Sequence, residues 1–291
     1  MAKILITESV HPIGPELLTA AGHTVVYADR DMDIIRREIV DADAVLVRII
    51  ELPGSLLATA KNLKIVSKHG VGYDNIDLDY CKSHGIAVTI TPNANSLSVA
   101  EHAFTLMLTL AKNIIPVSNE YRTVGFAAKN HAPGIEMTGK TLGLIGMGRI
   151  GKHILHMCRD GLDMHVIVYD PYISEVPEGV EKVDDLSELL RRADVVTLHC
   201  LLTDETRKLI DRERLALMKP TALLINCARG PIVDEAALIE ALENGRLAGA
   251  GLDVTDPEPV APDSPLFKLP NVIVTPHYAP TTVESATRVS K

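Results

Sequence analysis

Along the N-terminal third of the chain, short apolar runs alternate with amphipathic stretches. Runs at 4–6, 25–27, 44–47, 64–67 and 86–89 read as strands, and the stretches at 14–21, 32–40, 55–60 and 78–84 read as helices. Such alternation predicts a parallel sheet covered by helices on both faces, and so a small α/β domain. From 96 to 115 the pattern changes to one long, largely apolar helix, with Val99, Ala103, Leu106, Met107 and Leu110 at helical spacing. Ser96 or Ser98 can cap it, and Glu101 stands at capping-box distance from Ser98. A helix this apolar belongs between domains or subunits rather than in water. The polar stretch 125–137 reads as a surface loop or arm.

A second series follows. Strands are expected at 141–145, 165–169, 194–198, 222–226, 249–254 and 271–275, with helices at 186–191, 212–217 and 235–243. Six strands match a complete nucleotide-binding sheet. The last residues fall inside an amphipathic pattern begun near Thr281, with no C-cap signal, and read as a helix cut short.

The second series opens on a strand, the turn Gly146-Met147-Gly148-Arg149-Ile150-Gly151, a helix, and a strand ending on Asp170. Gly146 suits the tight turn, Gly148 has no side chain to hold a pyrophosphate away, and Gly151 lets the helix pack closely. Free N–H groups at the helix start then face the phosphates. Asp170, about twenty residues on, is placed to take the ribose hydroxyls and to repel a 2′-phosphate, which favours NAD over NADP.

Composition narrows the picture. With 291 residues and 46% hydrophobic content, the chain can bury one large core or two moderate ones, and length favours two domains. A net charge of -9 argues against a nucleic-acid or anionic-membrane partner, and 3% aromatics without tryptophan argues against stacking platforms for single strands. Cys81, Cys158, Cys200 and Cys227 are scattered without metal-ligand spacing, so no metal is expected and a reducing compartment fits. The first residues turn polar at Glu8, before a signal-peptide core could form, and no apolar run is long enough to cross a bilayer. Together these suggest a soluble cytoplasmic protein.

In a doubly wound sheet, ligands sit beyond the carboxyl ends of the strands, so chemistry is sought just after each strand. Arg229, Glu258 and His277 all fall there. The guanidinium of Arg229 matches a carboxylate bidentately and suits anchoring a small acid. His277 can take a hydroxyl proton as hydride leaves the same carbon, or return it in reduction. Glu258, bonded to the other ring nitrogen, would fix the tautomer. Two of them have a plainer reading: a surface ion pair for Arg229 and a solvated loop carboxylate for Glu258. His102, inside the apolar helix, reads as a packed, hydrogen-bonded histidine before a catalytic one.

These residues carry a resemblance. The stretches 69–77 and 95–102, the glycine turn, Asn226-Cys227-Ala228-Arg229-Gly230 with Val233-Asp234-Glu235, and Thr275-Pro276-His277 resemble the D-isomer-specific 2-hydroxyacid dehydrogenases over nearly the whole chain. The resemblance implies two doubly wound α/β domains, with a Rossmann NAD-binding domain (97–280) inserted into a smaller flavodoxin-like substrate domain (1–96 plus 281–291). It implies that Arg229 binds and polarises the substrate, Glu258 supports the histidine and His277 is the acid/base. Backbone at Val71 and Gly72 would hold the substrate carboxylate, with Arg48 and Lys68 as further substrate contacts. Asp253 would take the nicotinamide amide, and Arg149, Ile150, Cys200, Cys227 and Ala228 would line the cofactor. Family members are usually dimers, and the apolar helix suits a homodimer.

Departures bear on the substrate. Leu201 stands where the family often has proline, and Ile49, Ile50 and Glu51 follow Arg48 where phosphoglycerate dehydrogenases have small hydroxylated residues. Apolar walls and Glu51 disfavour a second anionic group, although Arg48 and Lys68 pull the other way. With no regulatory domain after His277, hydroxypyruvate or glyoxylate is expected ahead of 3-phosphoglycerate. An NADH-sensing protein like the C-terminal-binding-protein corepressors is the alternative of another class. A formate dehydrogenase is disfavoured, because that group has glutamine where Glu258 stands.

Overall fold

The computed structural model describes the whole chain, Met1–Lys291, as two compact units: Met1–Asn95 with Pro280–Lys291, and Ser96–Ala279.

In the first unit the strands are β1 (Lys3–Ile6), β2 (Thr24–Tyr27), β3 (Ala44–Val47), β4 (Ile65–Lys68) and β5 (Ala87–Thr89), and the helices are α1 (Ile13–Ala20), α2 (Met32–Glu38), α3 (Gly54–Leu57) and α4 (Leu78–Ser83). All strands run parallel in the order β2-β1-β3-β4-β5, the flavodoxin-like winding. Leu5, Ile35, Ile39, Val45, Val47, Leu57 and Val66 form its core. The C-terminal helix, Val283–Ser290, is capped by Thr282 and lies so close to α1 that a Cβ on Gly14 would sit 2.6 Å from the Ser290 carbonyl oxygen.

The second unit begins with α5 (Ser96–Ala111) and α6 (Ile114–Val124), followed by β6 (Thr141–Ile145), α7 (Arg149–Leu162), β7 (His165–Tyr169) and β8 (Val180–Lys182). It continues through α8 (Leu186–Arg192), β9 (Val195–Leu198), α9 (Arg212–Leu215), β10 (Leu223–Asn226), α10 (Glu235–Glu243), β11 (Gly249–Leu252) and β12 (Val272–Val274). The parallel sheet is ordered β12-β11-β10-β9-β6-β7-β8, the dinucleotide-binding winding with one further strand at the β12 edge. Every residue of β9, β10 and β11 is buried, because α8, α9 and α10 cover one face and α5 and α7 the other.

Four expectations change. The long apolar helix stops at Ala111, where Asn113 turns left-handed (φ 51°) and starts α6. Asparagine tolerates that conformation, and its amide donates to the Pro133 carbonyl at 3.2 Å. Nor is α5 reserved for another domain or subunit. Val99, Ala103, Leu106 and Met107 pack within their own unit, against Leu142, Ile154 and Ile225. Ser98 is the third residue of that helix rather than its cap. Finally, β8 escapes the pattern because Val180-Glu181-Lys182 has one apolar residue and lies at the sheet edge.

Candidate active site in the nucleotide-binding unit

The switch point of this sheet lies between β6 and β9, and the glycine turn occupies it. Gly146 has φ 90°, and a Cβ there would meet the Cys200 nitrogen at 2.8 Å. Gly148 precedes the first residue of α7 and contributes no side-chain cap, and a Cβ on it would meet nothing within 4 Å. Open space beside uncapped N–H groups of a long helix fits a pyrophosphate. Gly151 packs against the turn itself, since a Cβ would lie 2.3 Å from the Gly146 carbonyl oxygen. At the end of β7, Asp170 accepts hydrogen bonds from the Met147 N–H (2.8 Å) and the Tyr172 N–H (3.0 Å), so it braces the turn beside its expected role toward a ribose.

Around the turn, Arg149 is exposed and Ile150 half-buried. Cys200 and Cys227 follow β9 and β10, and burial pushes the Cys200 thiol up to about 11 and the Cys227 thiol well above its usual value. Neither is a thiolate nucleophile at neutral pH. His199, just before Cys200, bonds Thr197 Oγ1 through Nε2 at 2.8 Å. Its Nδ1 is sealed without a partner, and burial lowers its pKa to about 3.

The loops after β10, β11 and β12 carry the remaining candidates. Asn226, buried at the end of β10, spans the next turn: its Oδ1 accepts from the Ala228 N–H (3.0 Å) and its Nδ2 donates to the Arg229 carbonyl (2.9 Å). Arg229 is held extended, with Nη1 donating to the Ala228 carbonyl at 2.8 Å. Gly230 lets the loops meet, because a Cβ would lie 1.9 Å from the Thr255 carbonyl oxygen. Glu235 then accepts from the Asp256 N–H at 3.0 Å and fixes the second loop. Burial raises its pKa. Glu258 Oε1 contacts His277 Nδ1 at 2.6 Å. With Nδ1–H donating to the carboxylate, Nε2 is the nitrogen free to exchange a proton. His277 itself is left-handed (φ 53°), and its N–H donates to the Asp253 carbonyl at 2.8 Å.

Asp253 is almost wholly buried. Oδ1 accepts from Thr275 Oγ1 (2.5 Å) and the Tyr278 N–H (2.7 Å), and Oδ2 accepts from the Ala279 N–H (2.8 Å). One acceptor position on Oδ2 remains for an amide donor. His102 is hydrogen-bonded, as its place in a packed helix suggests, with Nε2 at 3.0 Å from Thr275 Oγ1.

The first unit has its own polar cluster at the carboxyl ends of β1 and β3. Buried Glu8 accepts from the N–H groups of Arg48 (2.7 Å), Ile49 (2.6 Å) and Ile50 (3.0 Å). Lys68 donates to Asn75 Oδ1 (2.6 Å) and to the Arg48 carbonyl, so its ammonium helps to shape the loop that bears Arg48. The N–H groups of Val71 and Gly72 donate to no group of the chain. Sequence reasoning named Glu8 and Asn226 without giving either a structural role, because a polar residue at the end of an apolar strand does not reveal its partners.

The profile of the D-isomer-specific 2-hydroxyacid dehydrogenase NAD-binding domain matches residues 104–279. The chain belongs to this family. Among its relatives, D-3-phosphoglycerate dehydrogenase from Methanocaldococcus jannaschii is 43% identical over 98% of this chain and 55% of its own length. The chain thus spans about half the length of that relative. Glyoxylate reductase from Thermofilum pendens is 37% identical over 99% of this chain and 88% of its own. A crystal structure of D-lactate dehydrogenase from Aquifex aeolicus, complexed with NAD and lactic acid, superposes with a TM-score of 0.88 at 32% identity, covering 99% and 92% of the two chains. The family member described here therefore carries an NAD-binding unit, and none of its helices is long and apolar enough to cross a membrane.

Proposed function

We propose that this chain is an NAD-dependent dehydrogenase that moves a hydride between nicotinamide and a small D-2-hydroxy acid or its 2-keto acid. The observation that carries the reading is the 2.6 Å contact of Glu258 with His277, in the same unit as a glycine turn with room for a pyrophosphate. The cofactor, when bound, supplies or accepts the hydride. In oxidation, the hydroxyl proton passes to His277 Nε2 as the hydride leaves C2; in reduction, Nε2 returns it to the carbonyl oxygen. Arg229 anchors the acid and polarises the carbonyl, and Glu258 keeps the imidazole in the required tautomer. Asp170 takes the ribose hydroxyls, Asp253 the nicotinamide amide, and Arg149, Ile150, Cys200, Cys227 and Ala228 line the cofactor. For the first unit the reading assigns the acid's carboxylate to the amides of Val71 and Gly72, which have no partner in the chain.

D-3-phosphoglycerate now stands ahead of hydroxypyruvate and glyoxylate. The relative at 43% identity bears the phosphoglycerate name, and because the chain spans about half of that relative, the lack of a following domain counts for nothing. A homodimer in a reducing compartment is part of the same reading. Ile114, Tyr121, Val124 and Phe126, on α6 and the turn after it, are exposed and suit a second copy, and all four cysteines are free.

The test is a spectrophotometric panel of 2-keto acids with NADH and NADPH, including 3-phosphohydroxypyruvate, hydroxypyruvate, glyoxylate and pyruvate. Turnover of at least one acid with NADH is expected. Tight NADH binding with no acid reduced would replace the enzyme by an NADH sensor.

A further inference from the structure

Beyond the Arg229, Glu258 and His277 set, the second unit holds a connected chain of side chains behind the histidine turn. Helix α5 approaches β11 closely because that strand reads Gly249-Ala250-Gly251-Leu252; a Cβ on Gly251 would lie 3.0 Å from Leu106 Cβ. The approach sets His102, on the same helix, over the end of the strand, with Nε2 3.0 Å from Thr275 Oγ1 and 3.5 Å from Asp253 Oδ1.

The protons can be assigned from the contacts alone. As a carboxylate, Asp253 only accepts, so the 2.5 Å contact from Thr275 uses the single hydroxyl proton of that residue. Thr275 Oγ1 is then left to accept, and its remaining neighbour is His102 Nε2, which must carry the hydrogen. The order runs His102 Nε2–H to Thr275 Oγ1–H to Asp253 Oδ1. The carboxylate in turn holds the N–H groups of Tyr278 and Ala279, and its backbone carbonyl holds the N–H of His277. Every hydrogen bond in the series ends on the segment 275–279, whose centre is the left-handed His277. A non-glycine residue persists in that region only when its surroundings over-determine it.

We propose that His102 is a positioning residue for this dehydrogenase: through Thr275 and Asp253 it clamps the left-handed turn that presents His277. The inference rests on the functional reading above, and it deepens that reading in one respect. The carboxylate assigned to the nicotinamide amide is the same one that holds the histidine turn, so cofactor and acid/base share one anchor.

Two measurements test it. Long-range 1H–15N spectra of the histidine rings report tautomers without any turnover, and neutral His102 is expected to carry its proton on Nε2; a proton on Nδ1 overturns the clamp. Kinetics of Thr275→Val, Thr275→Ser, His102→Leu and the His102→Leu/Thr275→Val double variant give the second readout, with NADH affinity followed by fluorescence. Thr275→Val and His102→Leu are each expected to lower kcat on the best keto acid by about tenfold or more, while KM for the acid moves by less than about threefold. Thr275→Ser restores kcat, and the double variant is no worse than the poorer single one, because both break one series. Wild-type kcat in Thr275→Val, or a double loss equal to the product of the single losses, overturns the proposal. If wild-type protein reduces no 2-keto acid, the functional reading falls, and the His102 tautomer alone then decides whether the clamp exists.

Discussion

At the level of single residues, the proposed site combines groups assigned to the reaction with groups that hold them in place. Replacing His277 by alanine removes the proposed proton acceptor and leaves the glycine turn intact. Turnover is expected to fall by roughly 10²–10⁴-fold with NADH affinity within a few-fold of wild type; full activity in that variant would remove His277 from the mechanism. Glu258→Gln keeps a hydrogen-bond partner but no negative charge, so a smaller loss and a changed pH profile are expected. Besides its proposed role toward the ribose, the Asp170 carboxylate holds the Met147 and Tyr172 N–H groups. Asp170→Ser should therefore weaken NADH binding and, by removing the charge that repels a 2′-phosphate, improve NADPH use relative to NADH by about tenfold or more. An unchanged ratio of the two cofactors would contradict its assignment.

At the level of elements, close approaches govern the site. Gly230 and Thr255 bring the loop of Arg229 against the loop of Glu258, and no side chain fits between them. Gly230→Ala would place a methyl group 1.9 Å from the Thr255 carbonyl oxygen, so the loops must part. Loss of activity is expected, together with destabilisation of about 1–3 kcal/mol or more in denaturant titrations. Gly251→Val tests the approach of α5 to β11, because its branched side chain would have to displace Leu106. A lowered denaturation midpoint together with reduced kcat is expected, since His102 would be displaced along with the helix. A variant as stable and as active as wild type would show that the approach is not needed.

At the level of the whole molecule, two histidines in different units link stability to pH. Burial, with Arg48 and Lys68 adding to it, lowers His69 to about 4, and burial lowers His199 to about 3. Both values lie below the ordinary value of 6.5, so between that pH and the folded values the unfolded chain binds more protons than the folded one. Stability from these groups is complete above about pH 6.5 and is lost as pH falls toward 4. Melting temperatures should therefore drop steadily from pH 7 to pH 5; a flat or rising trend would contradict the burial of both rings. Sedimentation or light scattering should give the mass of a dimer, and Phe126→Asp should shift it toward the monomer if the exposed apolar residues near α6 are the contact.

Most strands and the glycine turn could be read from the linear order of residues. A parallel strand buried on both faces favours consecutive apolar side chains, so β6, β7, β9 and β10 appear as mainly apolar runs, broken only by residues such as Gly143 and Thr197. The ends of β10, β11 and β12 also locate Arg229, Glu258 and His277, because loops at the carboxyl edge of such a sheet lie where ligands bind. Tertiary structure decided the rest. The break at Asn113 depends on one left-handed residue whose amide finds a loop carbonyl far along the chain. The short edge strand β8 exists only because β7 offers it a hydrogen-bonding partner. Asp253 entered the reading only through the family resemblance, and its three donors come from residues more than twenty positions away. Periodicity reports which face of an element is buried and says nothing of partners brought together across the sheet. For that reason the proposed class of chemistry was written in local patterns, whereas the arrangement of Thr275, Asp253 and His102 behind His277 emerged only when α5 settled on two glycines of β11.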